Sequence, residues 1–398
     1  MNKNSTDQQE MQLEADRKRP VRLDSDTSKE LDAAMDMSPD HAGIDVTTTA
    51  KAGSRPLETK QRDGDAGKLS GPVGLDIGTT RIVVAQNNCK STKTFAQLNA
   101  FFTVPYSPIM KRTLEKDAIS FIDKQRQFYI FGSAAEDFAT MNGAIPRRTV
   151  EAGLLNPQEE EAVDVMKDML STIVRKPEQD GETICFSVPG EPADGSISTV
   201  FHESVIKTHL KSLGYKPVPV NEGLSVVLSE LADSNYTGIG VSIGGGMCNV
   251  CFAYLSVPVI TYSIRKGGDY IDQMVADAIG ESQGKIRTVK ENGFDLNSEP
   301  SNRIETGLHV FYDELFDMVL KSLKRSIETS DKIPRLYQGI PIVLSGGSVA
   351  PRGCRERFER ALSSCEMPVS ISEVRVAEKP LFATAMGSLK MAMEEVTV

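Results

Sequence analysis

Val73-Gly74-Leu75-Asp76-Ile77-Gly78-Thr79-Thr80-Arg81-Ile82-Val83-Val84-Ala85 is the stretch whose reading decides the fold. It reads as a short buried strand, a tight turn, and a second strand rich in β-branched residues. Gly78 lets the backbone approach a ligand closely, and the hydroxyls of Thr79 and Thr80 stand beside the turn amides. Amides and hydroxyls aimed at one point favour an anion such as a phosphate. Asp76 at the rim is acidic where phosphates would repel it, which makes chemical sense if a divalent cation lies between. Alone, the stretch also fits an ordinary glycine hairpin.

The chain repeats the layout. Ile239-Gly240-Val241-Ser242-Ile243-Gly244-Gly245-Gly246-Met247-Cys248-Asn249-Val250-Cys251-Phe252-Ala253 is again strand, glycine turn, strand, with one more glycine. Two such units point to two related lobes, each offering a phosphate-gripping hairpin to a shared cleft.

Composition sets the frame. The chain has 398 residues, 39% of them hydrophobic, and a net charge of −10, enough for a real core in one large or two smaller domains. The acidic balance and the lack of a basic stripe with interleaved aromatics argue against a nucleic-acid partner. Met1 to Glu10 is polar, without the apolar segment of a secretory signal, and no apolar run reaches transmembrane length. Six irregularly spaced cysteines read as reduced thiols, so the expected location is the cytoplasm.

Residues 1–70 contain no Phe, Tyr or Trp and are dominated by charged and hydroxyl residues, which predicts a disordered tail. Its functional reading is a partner-binding or membrane-proximal arm; a solvated extension is the plainer one. Aromatic segments around Phe101-Phe102, Phe121 and Phe128-Tyr129-Ile130-Phe131, then a helix over Ser133 to Thr140, predict a small subdomain inserted at about residues 95–144. Helices are expected over Glu159–Val174, His202–Leu213, Gly267–Ile279, Ile304–Thr329, Arg352–Ser363 and Glu378–Met393. Strands are expected at Thr183–Pro189, Pro217–Val220, Val257–Ile264 and Ile340–Leu344, and Asn221-Glu222-Gly223 opens a helix to Leu231. Strands alternating with helices make the class α/β. The expected division is a tail over 1–70, lobe I over 71–221, lobe II over 222–377, and a C-terminal helix over 378–398 returning to lobe I.

Four pieces now stand in order: Asp76-Ile77-Gly78-Thr79-Thr80, Asn221-Glu222-Gly223, Ile243-Gly244-Gly245-Gly246 and Leu344-Ser345-Gly346-Gly347. With them the chain resembles the actin/DnaK-type ATPase superfamily from Val73 to Val398, in particular bacterial actin homologues of the MreB and MamK kind. Phe128 to Gly132, Gly268-Asp269-Tyr270-Ile271-Asp272 and Val289-Lys290-Glu291 echo the same group. The resemblance implies a two-lobed actin-like fold, with duplicated ribonuclease-H-like lobes around a central cleft for ATP and Mg²⁺. By position it implies that Gly78, Thr79 and Thr80 hold the β- and γ-phosphates from one side, and Gly244, Gly245 and Gly246 from the other. Asp76 would position Mg²⁺ through water, and Glu222 would orient the attacking water. Gly346 and Gly347 would pass close to the nucleoside, with Lys290 and Glu291 lining the adenosine pocket. MreB-like chains commonly carry a Glu three residues before that Lys, where Arg287 stands here.

This division of labour is sound chemistry, because phosphoryl transfer to water needs charge neutralisation and an in-line water more than covalent help. Glu222 without the flanking motifs would read only as a first-turn acid favoured by its helix dipole. The main departure lies in the second hairpin, where the superfamily's Asp-x-Gly-x-Gly-Thr has Ser242 for Asp and Met247 for Thr. Losing a carboxylate beside the metal predicts a chain that still binds ATP through its glycine amides, Asp76 and Mg²⁺ and hydrolyses it slowly or not at all.

Cys248 and Cys251 have redox or zinc spacing but fall inside an expected strand, where i and i+3 point to opposite faces, so packing is the expected role. His41, His202, His209 and His309 join no nucleophilic constellation. The resemblance implies a head-to-tail filament former of the cytoskeleton, serving cell shape, organelle positioning or segregation. The alternative is a non-polymerising ATP-binding scaffold like the actin-like protein of type IV pilus assembly. A sugar or acetate kinase would need a catalytic carboxylate facing a small substrate, and none stands out.

Overall fold

The computed structural model describes residues 71–87, 91–195 and 197–397; the expected tail over residues 1–70 and His41 lie outside them. Strands β1 (Val73–Ile77), β2 (Arg81–Asn87) and β3 (Thr92–Leu98) form a meander. Next come β4 (Phe101–Pro105), α1 (Pro108–Lys116), β5 (Phe121–Lys124), β6 (Gln127–Phe131) and α2 (Ser133–Met141). The short strands β7 (Val150–Glu151) and β8 (Leu154–Leu155) precede α3 (Ala162–Ile173), β9 (Glu182–Val188), α4 (Val200–Ser212) and β10 (Tyr215–Asn221). Then follow α5 (Glu222–Glu230), β11 (Gly238–Ile243), β12 (Cys248–Tyr254), β13 (Val257–Ile264), α6 (Gly268–Ile279), α7 (Gln283–Glu291) and α8 (Arg303–Thr329). The chain closes with β14 (Ile340–Ser345), α9 (Cys354–Ser363), β15 (Ile371–Val376) and α10 (Ala383–Thr397).

One five-stranded sheet has the order β10-β9-β1-β2-β3, and another has β15-β14-β11-β12-β13. In each, the hairpin strands pair antiparallel while the later strands join in parallel, so the second sheet repeats the first strand for strand. Parallel neighbours covered on both faces need continuous apolar runs. β9 supplies one, with Thr183 to Ser187 all buried. On the second sheet, α8 buries Leu308, Phe311, Tyr312, Leu315, Phe316, Val319 and Leu323, a stripe at helical spacing. Strands β4, β6 and β5 make a separate three-stranded sheet.

Between the two main sheets lie α5 and α10. A Cβ on Gly387 of α10 would sit 1.8 Å from the Ser225 carbonyl oxygen of α5. One on Gly74 of β1 would sit 2.1 Å from the Ala385 carbonyl oxygen. Backbone therefore rests directly on backbone along this seam, which only glycine permits. The mixed α/β architecture expected from the sequence is the one observed.

Six elements escape the sequence reading: β3, α1, β7, β8, α7 and β15. The last helix also starts later than expected, at Ala383 instead of Glu378. The Pro380 carbonyl is taken by Gly346 N (3.0 Å) and Ser345 Oγ (2.9 Å), which keeps the preceding segment out of a helix. Cys248 packs into the core of the second sheet and Cys251 into the core around α5, on opposite faces of β12. Burial pushes the Cys251 thiol up to about 12, so it is inert. Among the described residues no helix is long and apolar enough to cross a membrane.

Candidate functional site

The β1–β2 and β11–β12 turns close with the same hydrogen bond, Gly78 N to Arg81 O and Gly244 N to Met247 O, both 2.9 Å. They face each other across a cleft of about 680 Å³ and touch at its floor. A Cβ on Gly245 would lie 2.1 Å from Thr80 Oγ1, and one on Gly246 would lie 2.3 Å from Thr79 Oγ1. Only glycine on one side leaves room for threonine on the other.

Each turn is braced from behind. Thr79 Oγ1 accepts from Gly153 N at 2.9 Å, at the link between β7 and β8. Gly78 O accepts from Asn99 Nδ2 (2.9 Å), whose Oδ1 receives Thr149 Oγ1 (2.6 Å). On the other side, Gly268 N and Asp269 N at the start of α6 donate to Gly244 O and Gly245 O at 2.9 and 2.8 Å.

Two carboxylates stand at the cleft base. Asp76 accepts from Ser187 Oγ at 2.7 Å, yet burial raises its pKa to about 6. Glu222 is the first residue of α5, whose cap Asn221 accepts from Leu224 N. Its pKa is held well above the ordinary carboxylate value, first by burial and then by the nearby charge of Asp76. A hydrogen bond from Asn249 Nδ2 at 2.7 Å works in the opposite direction and favours the charged form. Two half-buried acids, each with one side-chain donor, suit a cation brought in with its own ligands, a fit for Mg²⁺ carried by phosphate. Among the described residues no cluster of three or more His, Cys, Asp or Glu stands ready to hold a metal unaided.

On the far wall, Gly346 has φ +95°, and a Cβ there would meet the Ile243 carbonyl oxygen at 2.2 Å. Gly347, Lys290 and Glu291 line the same cleft. Lys290 Nζ is committed to the fully buried Asp272 (2.6 Å) and to Gly268 O (2.9 Å). Arg287 lies beside Asp269 (3.2 Å) and Asp272 (3.7 Å), so its positive charge is compensated by acids on α6. Every candidate residue from the sequence analysis therefore lines one cavity.

Sequence reasoning misses Ser187, Asn249, Arg148 and the role of Asp269. Arg148 Nη1 lies 2.6 Å from Asp269 Oδ2, an ion pair that ties the segment before β7 to the start of α6. His202, expected as an ordinary surface or packing residue, is buried, and its Nδ1 accepts from Leu155 N at 3.1 Å. Burial lowers its pKa to about 4 and keeps it neutral.

Several solved structures share this fold. One described as the MamK double helical filament is 18% identical, covers 81% of this chain and 98% of its own, and has a TM-score of 0.61. MreB5 of Spiroplasma citri bound to AMPPNP is 15% identical, with coverage of 83% and 98% and a TM-score of 0.59. The same protein bound to ADP gives 15% identity, 82% and 97% coverage, and 0.58. Such likenesses establish an actin-like fold. No curated protein sequence matches. Residues 72–392, which carry both sheets and the cleft, match the family described as Volactin, and the chain belongs to that family.

Proposed function

We propose that this protein binds ATP with Mg²⁺ between its two glycine turns and assembles head to tail into cytoskeletal filaments in the cytoplasm, hydrolysing ATP slowly. The observation that carries the reading is the meeting of Gly245 and Gly246 with Thr80 and Thr79 at the floor of a single cleft. Backbone amides and hydroxyls converging there suit a chain of phosphates. Gly78, Thr79 and Thr80 would take the β- and γ-phosphates from one side and Gly244, Gly245 and Gly246 from the other. Asp76 would hold Mg²⁺ through water, Glu222 would align the attacking water, and Lys290, Glu291, Gly346 and Gly347 would border the adenosine. The MreB5 structures contain AMPPNP and ADP, and the MamK structure is a filament, which supports both halves of the proposal by analogy.

The same reading divides the chain into lobes over 71–221 and 222–377, with residues 378–398 returning to the first, and gives the N-terminal segment over 1–70 the role of meeting a protein partner. Slow turnover is motivated by Ser242, which lines the cleft where a carboxylate would assist the metal. That observation also gives weight to a non-polymerising scaffold, which need not hydrolyse. Sedimentation and negative-stain microscopy with and without Mg²⁺-ATP separate the two. ATP-dependent filaments are the expected result, an ATP-binding monomer favours the scaffold, and absence of ATP binding by calorimetry overturns both.

A further inference from the structure

Asn249 lies on β12, fully buried, and uses both ends of its carboxamide. Its Oδ1 accepts from Gly190 N at 2.9 Å, and its Nδ2 donates to Glu222 Oε2 at 2.7 Å. A backbone amide can only donate, so Gly190 settles which way the carboxamide points, and the NH₂ must face the carboxylate. Gly190 is itself held fast. Its carbonyl accepts from Ser263 Oγ at 2.8 Å, and a Cβ on it would come within 2.7 Å of the Tyr262 backbone. A rigid relay thus runs from β13 through Gly190 and Asn249 to the first residue of α5.

The duplication shows that the fold does not demand a polar residue here. Asn249 pairs with Ser242 across the second hairpin, and the matching position of the first hairpin, opposite Asp76, is Val83. Valine serves the packing there. An amide at the second site therefore needs a reason beyond filling the core, and its partner supplies one.

We propose that Asn249 is a positioning residue, whose carboxamide holds the Glu222 carboxylate in the orientation that aligns the water attacking the terminal phosphate of ATP. The inference rests on the ATP reading above. In the step it serves, the water oxygen bonds to the γ-phosphorus while the bond from that phosphorus to the β,γ-bridging oxygen breaks. ADP leaves with the electron pair, and the water proton passes through Glu222 to the released phosphate. A carboxylate free to turn would lose the in-line geometry.

The test compares the full-length chain with Asn249→Ala, with Asn249→Asp, and with a double variant that combines Asn249→Asp and Glu222→Gln. ATP affinity is measured by calorimetry, phosphate release in a single turnover with γ-labelled ATP, and folding by thermal melting. Asn249→Asp keeps the acceptor for Gly190 but sets two carboxylates against each other. Phosphate release is expected to fall about 30-fold in both single variants, a typical scale for a mispositioned catalytic group, while affinity stays within about threefold. In the double variant the carboxamide introduced on α5 can donate to the carboxylate introduced on β12, so the melting temperature returns while hydrolysis does not. Single variants that release phosphate at the wild-type rate overturn the proposal, as does a parallel loss of affinity and rate, which marks a structural role only. Wild-type protein that binds ATP but releases no phosphate also overturns it and leaves the ATP reading standing; wild-type protein that binds no ATP sinks that reading itself.

Discussion

Behind the first turn, Asp76 on β1 receives a hydrogen bond from Ser187 on the parallel neighbour β9. Behind the second, Ser242 on β11 lies in register with Ser345 on the parallel neighbour β14. The frame is the same and the chemistry is halved, because the acid survives on one side only. At the turns themselves the difference is complementary. Thr79 meets Gly246 and Thr80 meets Gly245, the crossed pattern of two related surfaces packed about a pseudo-two-fold axis. Two threonine turns would collide, and two glycine turns would leave no hydroxyls. The two turns share one backbone geometry, and their contact requires side chains of different size on the two sides.

The sharpest way to break this comparison is to put a side chain on the glycine side. A Cβ on Gly246 would meet Thr79 Oγ1 at 2.3 Å and also the backbone at Ala152 Cα and Gly153 N, both at 2.8 Å. That backbone cannot swing aside as a side-chain tip can. Gly78 in the first turn faces only the Arg81 carbonyl oxygen at 3.1 Å. Gly246→Val is expected to weaken ATP binding by about 1,000-fold, roughly 4 kcal/mol, and Gly78→Ala by less than about tenfold. Equal losses in calorimetric titrations would mean that the turns are not matched as described.

Restoring the missing acid tests the other half. Ser242→Asp would add a third carboxylate to a cleft already lined by two that burial holds above their ordinary pKa values. Without nucleotide it is expected to cost about 2 kcal/mol of folding stability, the scale of a buried charge without a partner. With Mg²⁺-ATP the charge has a use, and single-turnover phosphate release is expected to rise about tenfold, roughly 1.4 kcal/mol of transition-state stabilisation. A variant that melts lower but hydrolyses no faster would show that Ser242 does not limit turnover.

Much of this is legible in the sequence because it is local. Each hairpin announces itself by β-branched strands flanking glycine, and α8 by its apolar spacing. The helices α1 and α7 escape notice although their caps, Ser107 before Pro108 and Ser282, are readable start signals; both are short and expose most of their surface. β15 is an edge strand whose Ser372 and Glu373 are exposed, so it lacks an apolar run. The site is legible in its residue types but not in its wiring. Asn249 reaches Glu222 across 27 positions and Arg148 reaches Asp269 across 121, and each pair depends on how strands and helices pack.

The finest distinction between the two hairpins rests on two serines at matching places. Ser187 Oγ donates to Asp76 Oδ1 and accepts from Ile77 N at 3.3 Å, so it both orients the acid and favours its charged form. Ser345 Oγ donates instead to Pro380 O, at the entry to α10, and has no acid to serve. Both are buried. Ser187→Ala and Ser345→Ala should therefore each lower stability by about 1 kcal/mol, the net value of one hydrogen bond. They should part in the metal dependence. Only Ser187→Ala leaves Asp76 without its donor, which raises its pKa further and weakens the hold on Mg²⁺ proposed for it. The Mg²⁺ concentration that half-saturates ATP binding at pH 7 is expected to rise about fivefold, roughly 1 kcal/mol, in Ser187→Ala and to stay unchanged in Ser345→Ala. If both variants shifted together, the serines would be equivalent framework, and the first hairpin would hold no special claim on the cation.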